Sequence, residues 1–284
     1  MFILYIYIFY IFNQVKEVLI VSLAAVRIVL VEPAGGLNLG SVARIMKNLG
    51  LRQLVLVNPK CDPLGSEARQ MAVHAVDVLE AARRVMTLPE ALIGCQRAIA
   101  TTGLDHTSLP VQLEHPRSAL PWLLEADSMG KPVASALIFG REDHGLTKTE
   151  LNHAQRFVRI PTSLEYGSLN LAQAVAICCY ELAVWQAGEQ RISACGRGES
   201  KGTVAEQPNG SASEELASLD MLEGYYQQLE SLLLRIGYLY PHTVDSRMEK
   251  FRRLFSRAQL SATEVAMLRG ILSQMEWALH NVPF

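Results

Sequence analysis

A chain of 284 residues is long enough for one large domain or for a catalytic domain with a smaller partner, since domains cluster at about 100 to 200 residues. Half of it is hydrophobic and 19% is charged, which excludes disorder over most of the length. The formal net charge of -2 excludes a whole-molecule basic field, so any nucleic-acid partner must be held by a local patch.

Residues 1-25 are unlike the rest. MFILYIYIFYIF is aromatic and aliphatic without a break, and Asn13, Gln14, Lys16 and Glu17 then interrupt it. The run is short of the roughly 20 apolar residues of a spanning helix and lacks the basic start of a signal peptide. It reads as a mispredicted start or a sticky extension, with a membrane anchor as the alternative; no stable membrane partner is expected.

From Arg27 onward β-type runs alternate with helical patterns: RIVLVE, a helix ending near Gly50, LVLVN, a helix from Val73 to Val85, RAIATT, VASALIFG and RFVRIP. This order predicts an α/β domain over 26-187 with a mainly parallel sheet. Thr87 with Glu90, and Thr147 with Glu150, have capping-box spacing, while Gly50 and Gly188 stand where helices should stop. Residues 188-213, rich in Gly, Ser and Glu, read as a linker. A small helical domain follows over 214-284. Its first helix carries Leu216, Leu219, Leu222, Leu229, Leu232, Leu233 and Ile236 and is closed by Pro241. The second turns Met248, Phe251, Leu254 and Phe255 inward and Arg247, Lys250, Arg252, Arg253 and Arg257 outward. The third, capped by Ser261 and Glu264, bears Val265, Leu268, Ile271, Leu272 and Met275.

Five cysteines without a C-x-x-C pair argue against a zinc cage and a disulfide framework and fit a reducing cytoplasm. Cys178 and Cys179 read as small buried hydrophobes. The seven histidines are scattered, His144 has no acid-base partner beyond Asp143, and no cluster has metal-ligand spacing, so no metal is expected.

Three segments fall at strand ends, where open α/β sheets place their sites. EPAGGLNLGSVARIMKNLG has a Gly-rich turn but neither the G-x-G-x-x-G spacing nor the P-loop lysine, whose place Ser41 takes. It leaves Asn38 in the turn and Arg44 in the following helix; an arginine there is more often a salt-bridged residue than a catalytic one. LIFGREDHGLT puts Arg141 and Glu142 directly after a buried-looking strand. IPTSLEYGSLNLAQAVAICCYEL offers Gly167, Ser168, Leu169 and Asn170 at a helix start, which on spacing alone reads as an N-cap.

In this order and spacing the three segments resemble the motifs of the SPOUT (SpoU/TrmH-like) RNA 2'-O-methyltransferases over roughly Arg27 to Gln186. The tail, with RRLFSRAQL and MLRGIL, looks like the TrmJ-like branch. The resemblance implies a C-terminal trefoil knot, a homodimer, S-adenosyl-L-methionine as cofactor, and a tRNA substrate methylated on an anticodon-loop ribose, nucleotide 32. It places Thr101, Thr102, Gly103, Gly140, Ile160, Gly167, Ser168 and Leu169 around the cofactor. Arg44 matches the family's catalytic arginine, with Asn38, Glu142, Ser168 and Asn170 completing the site. A guanidinium is a poor base, so orienting phosphate and hydroxyl is its safer role. The basic helix of the tail is assigned to tRNA. One departure stands out: GLDHTSLP follows Thr102, where relatives often carry arginines. The alternatives are an enzyme acting on rRNA or another tRNA position, and an inert RNA-binding protein of the same fold.

Overall fold

The computed structural model describes residues 23-103, 112-127, 130-163, 165, 167-195 and 215-281, with backbone only for 189-195. Nearly all of the N-terminal extension, the loop after Gly103 and most of the 188-213 linker lie outside the described residues.

The expected strands form, in one seven-stranded sheet whose pairs are all parallel, in the order β3-β2-β1-β6-β4-β7-β5. β1 (Val26–Val31), β2 (Gln53–Val57), β4 (Arg97–Thr101) and β6 (Ser135–Phe139) are the four longer of its five interior strands. Their near-continuous apolar runs fit strands covered on both faces. Side chains alternate accordingly: Ile28, Leu30, Ile99, Leu137 and Phe139 enter one core, while Val29, Val31, Ala98, Ala100 and Ile138 enter the other. The first core is closed by α1 (Gly36–Asn48), α2 (Ser66–Ala72) and α7 (Leu171–Cys195). The second is closed by α4 (Leu88–Leu92) and α6 (Lys148–Leu151). Between them in the chain come α3 (Val76–Glu80), the short edge strands β3 (Arg83–Val85) and β5 (Leu113–Glu114), α5 (Pro116–Ala119) and β7 (Arg156–Val158). Cys178 and Cys179 are fully buried in the first core, as small hydrophobes.

Two expectations fail locally. The helix expected from Val73 to Val85 is instead two short helices broken at Val73, whose φ is +53°, followed by β3. Val85 pairs with Val57 and its carbonyl accepts from Asn58 N–H, so an open sheet edge outcompeted helical propensity. Gly188 does not stop its helix, because α7 runs on to Cys195. At an exposed position glycine costs a helix only about 1 kcal/mol, which the long buried stretch before it outweighs. Gly50, by contrast, does follow a helix end with φ +81°.

The tail is three helices, α8 (Leu219–Arg235), α9 (Val244–Ala258) and α10 (Ala262–Asn281), around a core of Leu222, Tyr225, Tyr226, Leu229, Leu232 and Val265. α8 ends before Pro241, at Gly237 (φ +74°): Tyr238 N–H donates to Leu233 and Gly237 N–H to Leu234, a Schellman closure. Ser261 and Glu264 exchange backbone hydrogen bonds at the start of α10 as the capping spacing predicts. Leu254, Ile271 and Met275, expected inside, are half exposed. The tail meets the sheet where β4 begins: Leu219 N–H donates to Cys95 (2.7 Å) and Gly94 N–H to Asp220 (2.8 Å). That is the opposite end from the one where the site residues gather.

Candidate functional site

β6 ends at Phe139 and the chain turns sharply through Gly140 to Gly145, closed by a reciprocal pair of backbone bonds between Arg141 and Gly145. Gly140 is required there, because a Cβ would fall 2.2 Å from the Gly145 carbonyl carbon. The turn presents Glu142 to the loop after β1. Its carboxylate accepts from Ala34 N–H (3.1 Å), Gly35 N–H (3.1 Å) and the Asn38 amide (3.0 Å). The glycine turn that resembles a phosphate loop is thus an anion site at a helix N-terminus, filled by the chain's own carboxylate. Burial pushes the Glu142 carboxyl up, but the hydrogen bonds from Asn38, Ala34 and Gly35 outweigh it and hold it below the usual range. Glu142 is therefore an ionised anchor rather than a proton acceptor.

The Asn38 carbonyl oxygen accepts from the Asn170 amide (2.9 Å), and Asn170 Oδ1 accepts from Ala172 N–H (2.9 Å). Asn170 is thus the N-cap its spacing suggests and also bonds across to α1, though neither it nor Asn38 lines the neighbouring cavity. The relay Asn170–Asn38–Glu142 joins the starts of α7 and α1 to the turn after β6.

Behind this relay stands a group that sequence reasoning did not assign. Arg141 donates Nε to Glu32 (2.9 Å) and a two-pronged pair to Glu150 (2.9 Å each), with its side chain 15% exposed. Glu32 sits at the end of β1 with φ +47° and also takes Lys60 (3.1 Å) and the Asn58 amide (2.6 Å). The Arg141 guanidinium, with Lys60, holds the Glu32 carboxyl well down, at about 2. Glu150 belongs to the capping box of α6 with Thr147. The only signal in the sequence was the adjacency of Arg141 to Glu142, because its acidic partners lie 109 residues before it and 9 after.

A cavity of about 340 Å³ opens beside this framework. All eight residues expected around a cofactor line it, Thr101, Thr102, Gly103, Gly140, Ile160, Gly167, Ser168 and Leu169, together with Glu142. A Cβ on Gly103 would meet nothing within 4 Å and one on Gly167 only the Thr162 hydroxyl, so the glycines leave open wall. The size suits a cofactor of small-molecule class. Arg44 is not brought into the cavity: it lies just under two turns beyond Asn38 on α1, exposed, and has no hydrogen bond or ion pair among the described residues. Within one chain it makes no hydrogen bond or ion pair to Asn38 or Glu142, whose partners are each other, Asn170 and the loop after β1.

Comparison with known proteins decides the family. The SpoU rRNA Methylase family model matches residues 25–180, the whole of the sheet and its site. The chain belongs to the SpoU methylase family. The tail matches a second model, the C-terminal domain of the tRNA methyltransferase TrmJ, over residues 220–282. A Pseudomonas aeruginosa relative, tRNA (cytidine/uridine/adenosine-2'-O-)-methyltransferase TrmJ, is 40% identical across 88% of this chain and 93% of its own length. A Klebsiella pneumoniae relative, tRNA (cytidine/uridine-2'-O-)-methyltransferase TrmJ, is 39% identical across 88% and 96%. The crystal structure of TrmJ from Z. mobilis superposes with a TM-score of 0.71 at 29% identity, over 88% of this chain and 98% of that one.

Within the helical tail the basic residues expected for RNA divide. Arg247, Lys250 and Arg257 are exposed on α9. Arg252 is not: it makes two bonds to Glu223 (2.6 and 2.8 Å), lies 4.5 Å over the Tyr226 ring, and is 17% exposed. Its first role is to tie α9 to α8. Arg253 pairs with Glu249. Among the described residues no helix is long and apolar enough to cross a membrane, and no cluster of acidic, histidine and cysteine side chains could hold a metal ion.

Proposed function

We propose that this protein methylates a ribose 2'-oxygen of tRNA with S-adenosyl-L-methionine, at an anticodon-loop nucleotide, nucleotide 32. The observation that carries the reading is the single cavity at the strand ends, lined by all eight expected cofactor residues and fixed by the Glu142 relay. The sheet belongs to a methylase family, and relatives matched along nearly their whole length are tRNA 2'-O-methyltransferases. When bound, the cofactor supplies a methyl group already activated on a sulfonium. The protein's part is positioning: main-chain groups and small residues at Thr101–Gly103, Gly140 and Gly167–Leu169 hold the donor, and the relay fixes the cavity wall. A knotted path through these segments belongs to the same reading.

Arg44, without a partner among the described residues, is available to hold a substrate phosphate and orient the 2'-hydroxyl. It acts from outside the cavity of its own chain, which fits the proposed homodimer. Half-exposed Leu37 on α1 and Tyr180 and Val184 on α7, helices that pack together, supply apolar surface for that contact. The exposed cations of α9 serve the tRNA backbone, and the reading places the protein in the cytoplasm. Acceptance of cytidine, uridine or adenosine follows from relatives named for two or three bases, since a ribose target leaves the base lightly read.

The test is transfer of labelled methyl from S-adenosyl-L-methionine to unmodified tRNA, with the modified nucleotide mapped. Label on an anticodon-loop 2'-oxygen is expected. Label on rRNA or elsewhere in tRNA contradicts the position, and cofactor binding without transfer to any RNA contradicts the activity.

A further inference from the structure

A second cavity is larger than the one at the strand ends. A groove of about 510 Å³ runs between α9 and the sheet edge formed by β7 and β5. Its charged lining is four arginines, Arg156 from β7 and Arg252, Arg253 and Arg257 from α9, against a single carboxylate, Glu114. In a chain of net charge -2 this is a strong local concentration of guanidinium. Three of the four are braced from behind: Arg156 by Glu114, Arg252 by Glu223 and Arg253 by Glu249. Such pairing fixes where the forks sit, so little side-chain entropy is lost when a further anion arrives. Among the described residues, exposed Arg257 has no ion pair, and on the opposite wall the Asn152 side-chain amide has no hydrogen bond. Phe157 and Ala154 give the groove an apolar floor.

We propose that this interdomain groove binds the sugar-phosphate backbone of the RNA substrate, with Arg257 and Asn152 contacting it from opposite walls and the braced arginines fixing its path. The inference rests on the tRNA reading above and deepens it: beside the exposed cations of α9, the cleft between α9 and the sheet takes part in the grip. Arginine forks match phosphodiester oxygens, the apolar floor suits a ribose, and the volume accommodates about one nucleotide. Because one wall is β7 and the other α9, occupied RNA also fixes the tail relative to the catalytic sheet.

The experiment is binding of unmodified tRNA to the full-length protein across a salt series, for wild type, Arg257→Ala, Arg257→Glu and Asn152→Asp, with S-adenosyl-L-methionine affinity measured alongside. Arg257→Ala should weaken tRNA several-fold and lower the salt slope by about one phosphate contact. Arg257→Glu should weaken it further, and Asn152→Asp, which puts a carboxylate on the sheet-side wall, should weaken it as well, all with cofactor affinity unchanged. A response to the Arg257 variants with none to Asn152→Asp overturns the groove in favour of the helix face, and no response in any variant overturns it outright. Displacement of tRNA by polyglutamate as readily as by a competing RNA would assign the groove to an acidic protein and overturn the RNA occupant. Wild-type methyl transfer to the same tRNA separates the two readings. Transfer with unmoved variants removes the groove alone, and weakened variants without transfer keep the groove and remove the enzyme reading.

Discussion

The two ends of the sheet are built by different means. At the strand ends near the cavity, short side chains and backbone N–H groups converge on one ionised carboxylate, Glu142, and a half-buried arginine joins Glu32 to Glu150 behind it. At the other end the tail is held by ion pairs between long side chains such as Arg252–Glu223 and leaves large apolar groups in solvent, Met267 at 61% and Trp277 at 58% exposure. On the proposed function the difference separates two tasks. Methyl transfer needs reacting atoms fixed within a fraction of an ångström, which a dense hydrogen-bonded frame supplies. Holding a long polyanion needs reach and charge, which arginines on a helix supply.

The comparison breaks first at Arg44, which the proposed function assigns to the chemical end yet which is exposed and without a partner among the described residues. Arg44→Ala is expected to lower turnover at least 100-fold while Tm and cofactor affinity hold steady, because nothing in the fold depends on it. Retained turnover, read by methyl transfer, would remove Arg44 from the reaction. Gly140→Ala should hit the frame itself: with a Cβ 2.2 Å from Gly145 the turn cannot close, and both thermal stability and cofactor affinity should fall.

Arg141→Ala leaves two carboxylates facing each other and should cost about 2 to 3 kcal/mol in urea unfolding, the usual loss for a broken buried pair reduced for partial exposure. The pH dependence has a definite sign. Glu32 is depressed in the folded state from 4.5 to about 2, so its contribution is present above pH 4.5 and is lost as pH falls towards 2. Wild type should therefore lose Tm through that window, and Arg141→Ala should lose less. The smallest effect is expected at Thr147→Ala, which removes one half of the α6 capping box and should cost about 1 kcal/mol without altering RNA affinity.

Most of the sheet was legible in the sequence because its interior strands are uninterrupted apolar runs, and both capping pairs announced their helices. Thr147–Glu150 makes the full box, whereas Glu90 reaches Met86 N–H instead of completing the exchange with Thr87. What escaped was set by distant partners. β3 forms only because β2 offers an open edge to Val85, and no local pattern records that. The cavity lining was legible through the family's motifs, residue by residue. The Arg141 clamp was not, since Glu32 follows the neighbouring strand β1 and stands 109 residues earlier in the chain, nor was the partial burial of Arg252, which depends on Glu223 in another helix.

The division of labour between the two ends is tested most directly by single-turnover methyl transfer at saturating enzyme, set beside tRNA affinity, for Asn38→Ala and Arg257→Ala. Asn38→Ala should lower the transfer rate of bound tRNA at unchanged affinity, since it removes the link between Glu142 and Asn170. Arg257→Ala should lower affinity and leave the saturated rate near wild type. If both variants move the same quantity, or if the pattern is reversed, the account of a rigid chemical end and a gripping tail is contradicted.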